Sequence, residues 1–155
     1  MKNLRILQFR GKSTISRLIR FYTWGEYSHS AVWNITTGEV IESWQTKGVR
    51  IIDLVDHKHT PGTKVDVYEV LGIIDEDKYW NSLKEEVGKK YDWWGIFGFL
   101  SKKETQKNKK WFCSELVFKK LAPQLLLLNC PASHVSPTVL TWSPLLQFEK
   151  QIVLE

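Results

Sequence analysis

At 155 residues the chain is long enough for one domain with a sizeable core that needs no disulfide or metal to hold it. Its 43% hydrophobic and 25% charged residues exclude a disordered or fibrous chain, and two cysteines, Cys113 and Cys130, are too few for a disulfide framework. Much of the net charge of +5 comes from the lysine-rich run 101–110, read first as a solvated loop and second as a contact with an anionic surface; without an arginine cluster, no specific nucleic-acid binding is expected.

Charges interrupt every apolar run near the start, so no signal peptide is read there. No stretch reaches the roughly 18 apolar residues that a membrane span requires. The expectation is a cytoplasmic monomer, with export or release by another route as the alternative.

In chain order, residues 4–9 alternate as a strand that Gly11 ends. Ser13 is an N-cap, after which Ile15, Leu18, Ile19 and Tyr22 fall on one face of a short helix. Residues 24–27 form a turn. Strands over 30–35 and 40–44, joined by a tight turn at 36–39, make a hairpin. A strand follows over 48–54, then a loop over 58–62 and an alternating strand over 65–70. Asp75 opens a helix through Val87, and Gly88 ends it. Next come Tyr91 and Asp92, an apolar stretch to Leu100, the lysine run and a helix beginning at Cys113. A tail punctuated by Pro123, Pro131, Pro137 and Pro144 closes with a strand over 148–154. This order gives one α+β domain over 1–155 with a central antiparallel sheet.

The residues with chemistry to offer start at Trp111-Phe112-Cys113-Ser114-Glu115-Leu116-Val117, a lone thiol at a helix start. Unpaired backbone N–H groups there favour thiolate over thiol, the form that attacks carbonyl carbon. A cysteine hydrolase also needs an imidazole beside the thiol and a polar group to orient it. Of the four histidines, His29 stands at the entrance of a strand, a rigid platform for a base. Antiparallel pairing across the hairpin brings Glu42 or its neighbours within reach of His29. Glu42, between Ile41 and Ser43, is the natural orienting carboxylate; its other reading is the exposed face of an edge strand.

His57 and His59, near Asp53 and Asp56, are two loop histidines without a further cluster, a weak metal pattern; no metal and no cofactor is expected. His134 reads as a surface or capping residue, and Cys130 as a buried apolar-type thiol. Trp93, Trp94, Phe97, Phe99 and Trp111 read as core, or alternatively as a hydrophobic cleft suited to an acyl chain.

Tyr27-Ser28-His29-Ser30-Ala31-Val32, then Tyr91-Asp92-x-x-Gly95, then Phe112-Cys113-Ser114-Glu115-Leu116-Val117, in that order, resemble the circularly permuted papain-like cysteine hydrolases of the NlpC type, the YiiX-like group. The resemblance implies a papain-like fold in which a sheet or partial barrel packs against helices. It implies Cys113 as nucleophile, His29 as base, Glu42 as the third polar residue and Tyr91 as an aid to oxyanion binding beside the Cys113 backbone N–H. The implied activity is cleavage of an amide or ester through a thioester acyl-enzyme, on cell-wall peptide or a related amide, with a lipid acyl hydrolase or acyltransferase as the alternative. The rival from another class is a non-catalytic module that binds polyanions.

Overall fold

The computed structural model describes residues 2–93 and 110–155. Trp94, Phe97, Phe99 and all but the last residue of the lysine run lie outside the described residues. The elements in order are β1 (Leu4–Arg10), α1 (Thr14–Thr23), β2 (His29–Asn34), β3 (Glu39–Trp44), β4 (Gly48–Asp53), β5 (Lys64–Val70), α2 (Glu76–Lys84), β6 (Lys90–Tyr91), β7 (Lys110–Trp111), α3 (Cys113–Leu121), α4 (Pro137–Leu140) and β8 (Leu146–Val153). Six strands form one sheet in the order β4-β3-β2-β1-β5-β8, every neighbouring pair antiparallel, while β6 and β7 form a small parallel pair. This α+β architecture with a large antiparallel sheet is the class expected from the sequence.

The sheet follows from period-two alternation in β1. Leu4 and Ile6 point to one face and Leu7 and Phe9 to the other, and all four are buried. On the first face Leu4, Ile6, Val32 and Ile41 meet Leu116, Val117 and Leu121 of α3 and Tyr79 and Leu83 of α2. Each such fully buried side chain contributes about 1.5–3 kcal/mol. Leu7, Phe9, Ala31, Val40, Val65 and Val67 make a second cluster on the other face. Helices on one side and a polar site on the other thus share the same strands.

The helix ends follow local chemistry. The Ser13 hydroxyl accepts from the Ser16 N–H and starts α1, as its N-cap position implies. The period-3.6 pattern groups Leu18 with Ile15 and Ile19, but Leu18 is 44% exposed because α1 buries only its Ile19 side against the domain. Asp75 caps α2 through the Lys78 N–H. That helix stops at Lys84 rather than Val87, since Glu86 and Val87 close three-residue turns and Gly88 takes φ +92°.

Gly48 holds the site end of the sheet together. It has φ +73°, and a β-carbon there would lie 2.0 Å from the Lys89 carbonyl oxygen, so only glycine fits. The approach lets Val49 N–H donate to Lys89 O at 2.8 Å, tying β4 to the segment that leads into β6.

Candidate active site

His29 opens β2, and the register of the sheet decides what it meets. Phe9 pairs with His29, Ala31 with Glu42 and Glu42 with Arg50, so these side chains all point to the same face. Glu42 is 1% exposed on β3, an interior strand, which removes the alternative of a solvated edge position. Its Oε2 lies 2.7 Å from His29 Nε2. Its Oε1 accepts from Arg50 Nε at 2.9 Å and Nη2 at 2.6 Å, a two-pronged charge-assisted contact. Arg50 in turn lies over the Trp44 ring at 4.5 Å.

Besides Glu42, which engages Nε2, the Cys113 side chain acts on the His29 ring. Burial opposes charge on the ring, yet the contacts with Cys113 and then Glu42 outweigh it and push the imidazole up to about 9. Burial also opposes charge on Glu42, but the hydrogen bond with His29 and the nearby His59 ring hold it well below the usual carboxylate range. A charged imidazolium between a carboxylate and a sulfur is the arrangement that results.

Cys113 is the first residue of α3. Phe112 precedes it as an N-cap with no side-chain acceptor of its own, while its backbone N–H is taken by Glu115, half of a capping box. Ser114 Oγ donates to Val135 O at 2.6 Å and fixes the helix start from the far side. The residues just before Cys113 are clamped as well. Ser43 Oγ donates to Trp111 O at 2.6 Å, and Trp111 Nε1 donates to Glu86 at 2.6 Å, whose carboxylate also pairs with Lys89 and Lys120. Parallel pairing of Tyr91 with Trp111 then sets Tyr91 beside the thiol, in one cluster with Ile19, Phe112 and Cys113. Burial, and then charge on Cys113, push the Tyr91 phenol well above its ordinary value, so it keeps its proton and remains a donor.

A cavity of about 220 Å³ opens beside this group, lined by Ile15, Ser16, His29, Trp44, His59 and Tyr91 among others. Cys113 is fully buried and does not line it; Ile19, His29 and Tyr91, which do, pack around the thiol. Thus α1 forms one wall and the strand ends form the other.

Two residues went unread as site residues in the sequence, Arg50 and His59. Arg50 was open to inference, because extending the hairpin register by one strand pairs it with Glu42. His59 was not. It arrives from the loop after β4, stacks on Phe9 at 4.3 Å and 16°, and presents its edge to Trp44. Its Nε2 lies 3.8 Å from Glu42 Oε2, buried and without a hydrogen-bond partner. Burial, reinforced by the charge on His29, lowers its pKa and keeps it neutral despite Glu42. The His57 ring lies 6.1 Å from that of His59, whereas Cys130 and His134 stand elsewhere. Cys130 is only partly buried, not the enclosed thiol expected, because it sits in the turn-rich segment after α3. His134 belongs to a short 3-10 turn over Ala132–His134. Trp93 is 44% exposed and Trp111 is buried.

With this geometry in view, comparison with known proteins places the fold. The chain superposes on the metalloprotein YiiX from Escherichia coli O157:H7 with a TM-score of 0.69 over 97% of each chain, at 18% sequence identity. The chain has a YiiX-like fold. No family model matches it, and no curated protein does. Among the described residues no helix is long and apolar enough to cross a membrane.

Proposed function

We propose that the protein is a papain-like, circularly permuted thiol hydrolase with Cys113 as nucleophile, His29 as base, Glu42 as the orienting carboxylate and Tyr91 as an oxyanion donor. The observation that supports it most is the series Cys113, His29, Glu42 and Arg50, in which His29 interacts with the thiol on one side and the carboxylate on the other. Cys113 sulfur bonds to an acyl carbon while the C–N or C–O bond breaks, and the His29 proton goes to the leaving amine or alcohol. Tyr91 and the Cys113 backbone N–H stabilise the oxyanion. Water then gives its proton to His29 and its oxygen to the acyl carbon, and the thioester opens to a carboxylic acid and a free thiolate. A cavity of about 220 Å³ takes a short peptide segment or the end of an acyl chain rather than a folded protein.

Alkylation with iodoacetamide near neutral pH tests the nucleophile. Cys130 is the more accessible thiol, and burial raises its pKa. Faster modification of Cys113, located by peptide mass mapping, therefore reports activation rather than access. Equal or slower modification of Cys113 sinks the proposal.

One observation favours a second reading, a metal centre. The ligand atoms of His29, Glu42 and His59 all lie within 4.8 Å of one another, and the orphaned Nε2 of His59 faces Glu42. Two imidazoles and a carboxylate suit zinc, and the structural neighbour YiiX is a metalloprotein. A bound zinc ion would polarise a carbonyl or a water there. On this reading, calorimetric titration with zinc gives one site per chain in the wild type and in Cys113→Ala, and none in His59→Ala. Zinc binding that His59→Ala leaves unchanged rules it out.

A further inference from the structure

The outer face of α1 has no partner among the described residues. Leu18, Phe21 and Trp24 are 44%, 68% and 89% exposed, and the Phe21 and Trp24 rings stack on each other at 6.3 Å. At 100° per residue, Arg17 falls on the same arc, between Trp24 and Phe21, and Arg20 flanks it. Residues 11–25 contain Lys12, Arg17 and Arg20 and no acidic residue. None of these three cations forms an ion pair among the described residues.

Trp24 is the decisive residue. It ends the helix at φ 51°, ψ 34°, and its N–H donates to the Arg20 and Phe21 carbonyls. That left-handed position is normally glycine, and a bulky side chain there is disfavoured. Among the described residues only the stacking on Phe21 offsets the strain, since the indole is almost fully in solvent.

We infer that α1 is a docking helix for an anionic phospholipid surface, its aromatic arc entering the interface while Arg17 and Arg20 pair with lipid phosphates. Mixed aromatic and basic residues on one arc are the pattern of interfacial helices. The charge selects a lipid surface over an apolar protein groove, because Arg17 and Arg20 would be left unpaired in such a groove. The other side of α1, through Ile15, Ser16 and Ile19, lines the cavity, so docking would hold the cavity mouth close to the bilayer. The inference goes beyond the hydrolase reading and does not depend on Cys113.

Sedimentation with vesicles of phosphatidylglycerol, compared with phosphatidylcholine alone, tests it. Wild type and Cys113→Ala are expected to bind the anionic vesicles equally, at least tenfold more tightly than the neutral ones, and less tightly as salt rises. Trp24→Gly is expected to weaken binding at least tenfold while keeping or raising the melting temperature, because glycine relieves the left-handed strain. Arg17→Glu/Arg20→Glu weakens it similarly. The inference is overturned if wild type ignores anionic vesicles or Trp24→Gly binds like wild type. It is also overturned if Trp24→Gly instead dissolves a dimer seen by light scattering, which would assign the face to a second copy of the chain.

Discussion

Replacing Glu42 by alanine is expected to destabilise the fold by about 3 kcal/mol, near the low end for breaking a buried ion pair. The carboxylate is 1% exposed, and its loss strands two cations, Arg50 and the His29 imidazolium. Arg50 keeps 18% of its side chain in solvent, which limits the cost. Arg50→Ala is expected to cost less, because Glu42 then retains His29. In a double-mutant cycle by urea denaturation the two substitutions should couple by more than 1 kcal/mol, within the usual range of about 0.5–3 for residues in one network.

The effect should depend on pH. His29 titrates at about 9 in the fold and near 6.5 when unfolded, so its charge adds stability that is complete below about 6.5, declines between 6.5 and 9, and is gone above 9. Glu42→Gln keeps the shape and removes the charge. Its penalty is therefore largest near pH 6 and shrinks toward pH 9. A penalty that grows with pH over that interval contradicts the assigned His29–Glu42 pair.

Cys113→Ala is expected to lower turnover about 10³-fold or more on any acyl donor the wild type accepts, with little change in melting temperature. A panel of peptidoglycan fragments, simple amides and phospholipids supplies the donors. Rapid quenching of wild type should trap an acyl mass on the peptide containing Cys113, and His29→Ala should slow its appearance by a comparable factor. Turnover that survives Cys113→Ala but falls on removing metal would replace the thiol mechanism with the metal centre.

The parts of the site legible in the sequence are those fixed by local rules. Cys113 was readable because a thiol, two aromatics before it and a helical pattern after it are contiguous. Glu42 was readable because hairpin register is set by its turn. Tyr91 reaches Cys113 through a two-residue parallel pairing across a long intervening segment, which periodicity cannot register; only the resemblance pointed to it. His59 owes its place to stacking on Phe9, a contact spanning the whole first half of the sheet, and a loop histidine gives no advance sign of that. Leu18 misled because an apolar residue at helical spacing normally faces a core, whereas on α1 the apolar residues divide between two surfaces.

The order of the parts along the chain has a consequence for synthesis. Strands β1 to β5 are complete at Val70; β2–β3 and β3–β4 are joined by tight turns, and α1 alone lies between β1 and β2. A nascent chain can therefore assemble His29, Glu42 and Arg50 through local pairing while α3 is still untranslated, since domains begin to fold as they emerge. The half that carries His29, Glu42 and Arg50 precedes the half that carries Cys113 on the ribosome. Until β8 emerges to cover β5, that partly built sheet keeps β5 as an open edge, which makes the interval before β8 appears the time when the chain is most exposed to wrong pairing.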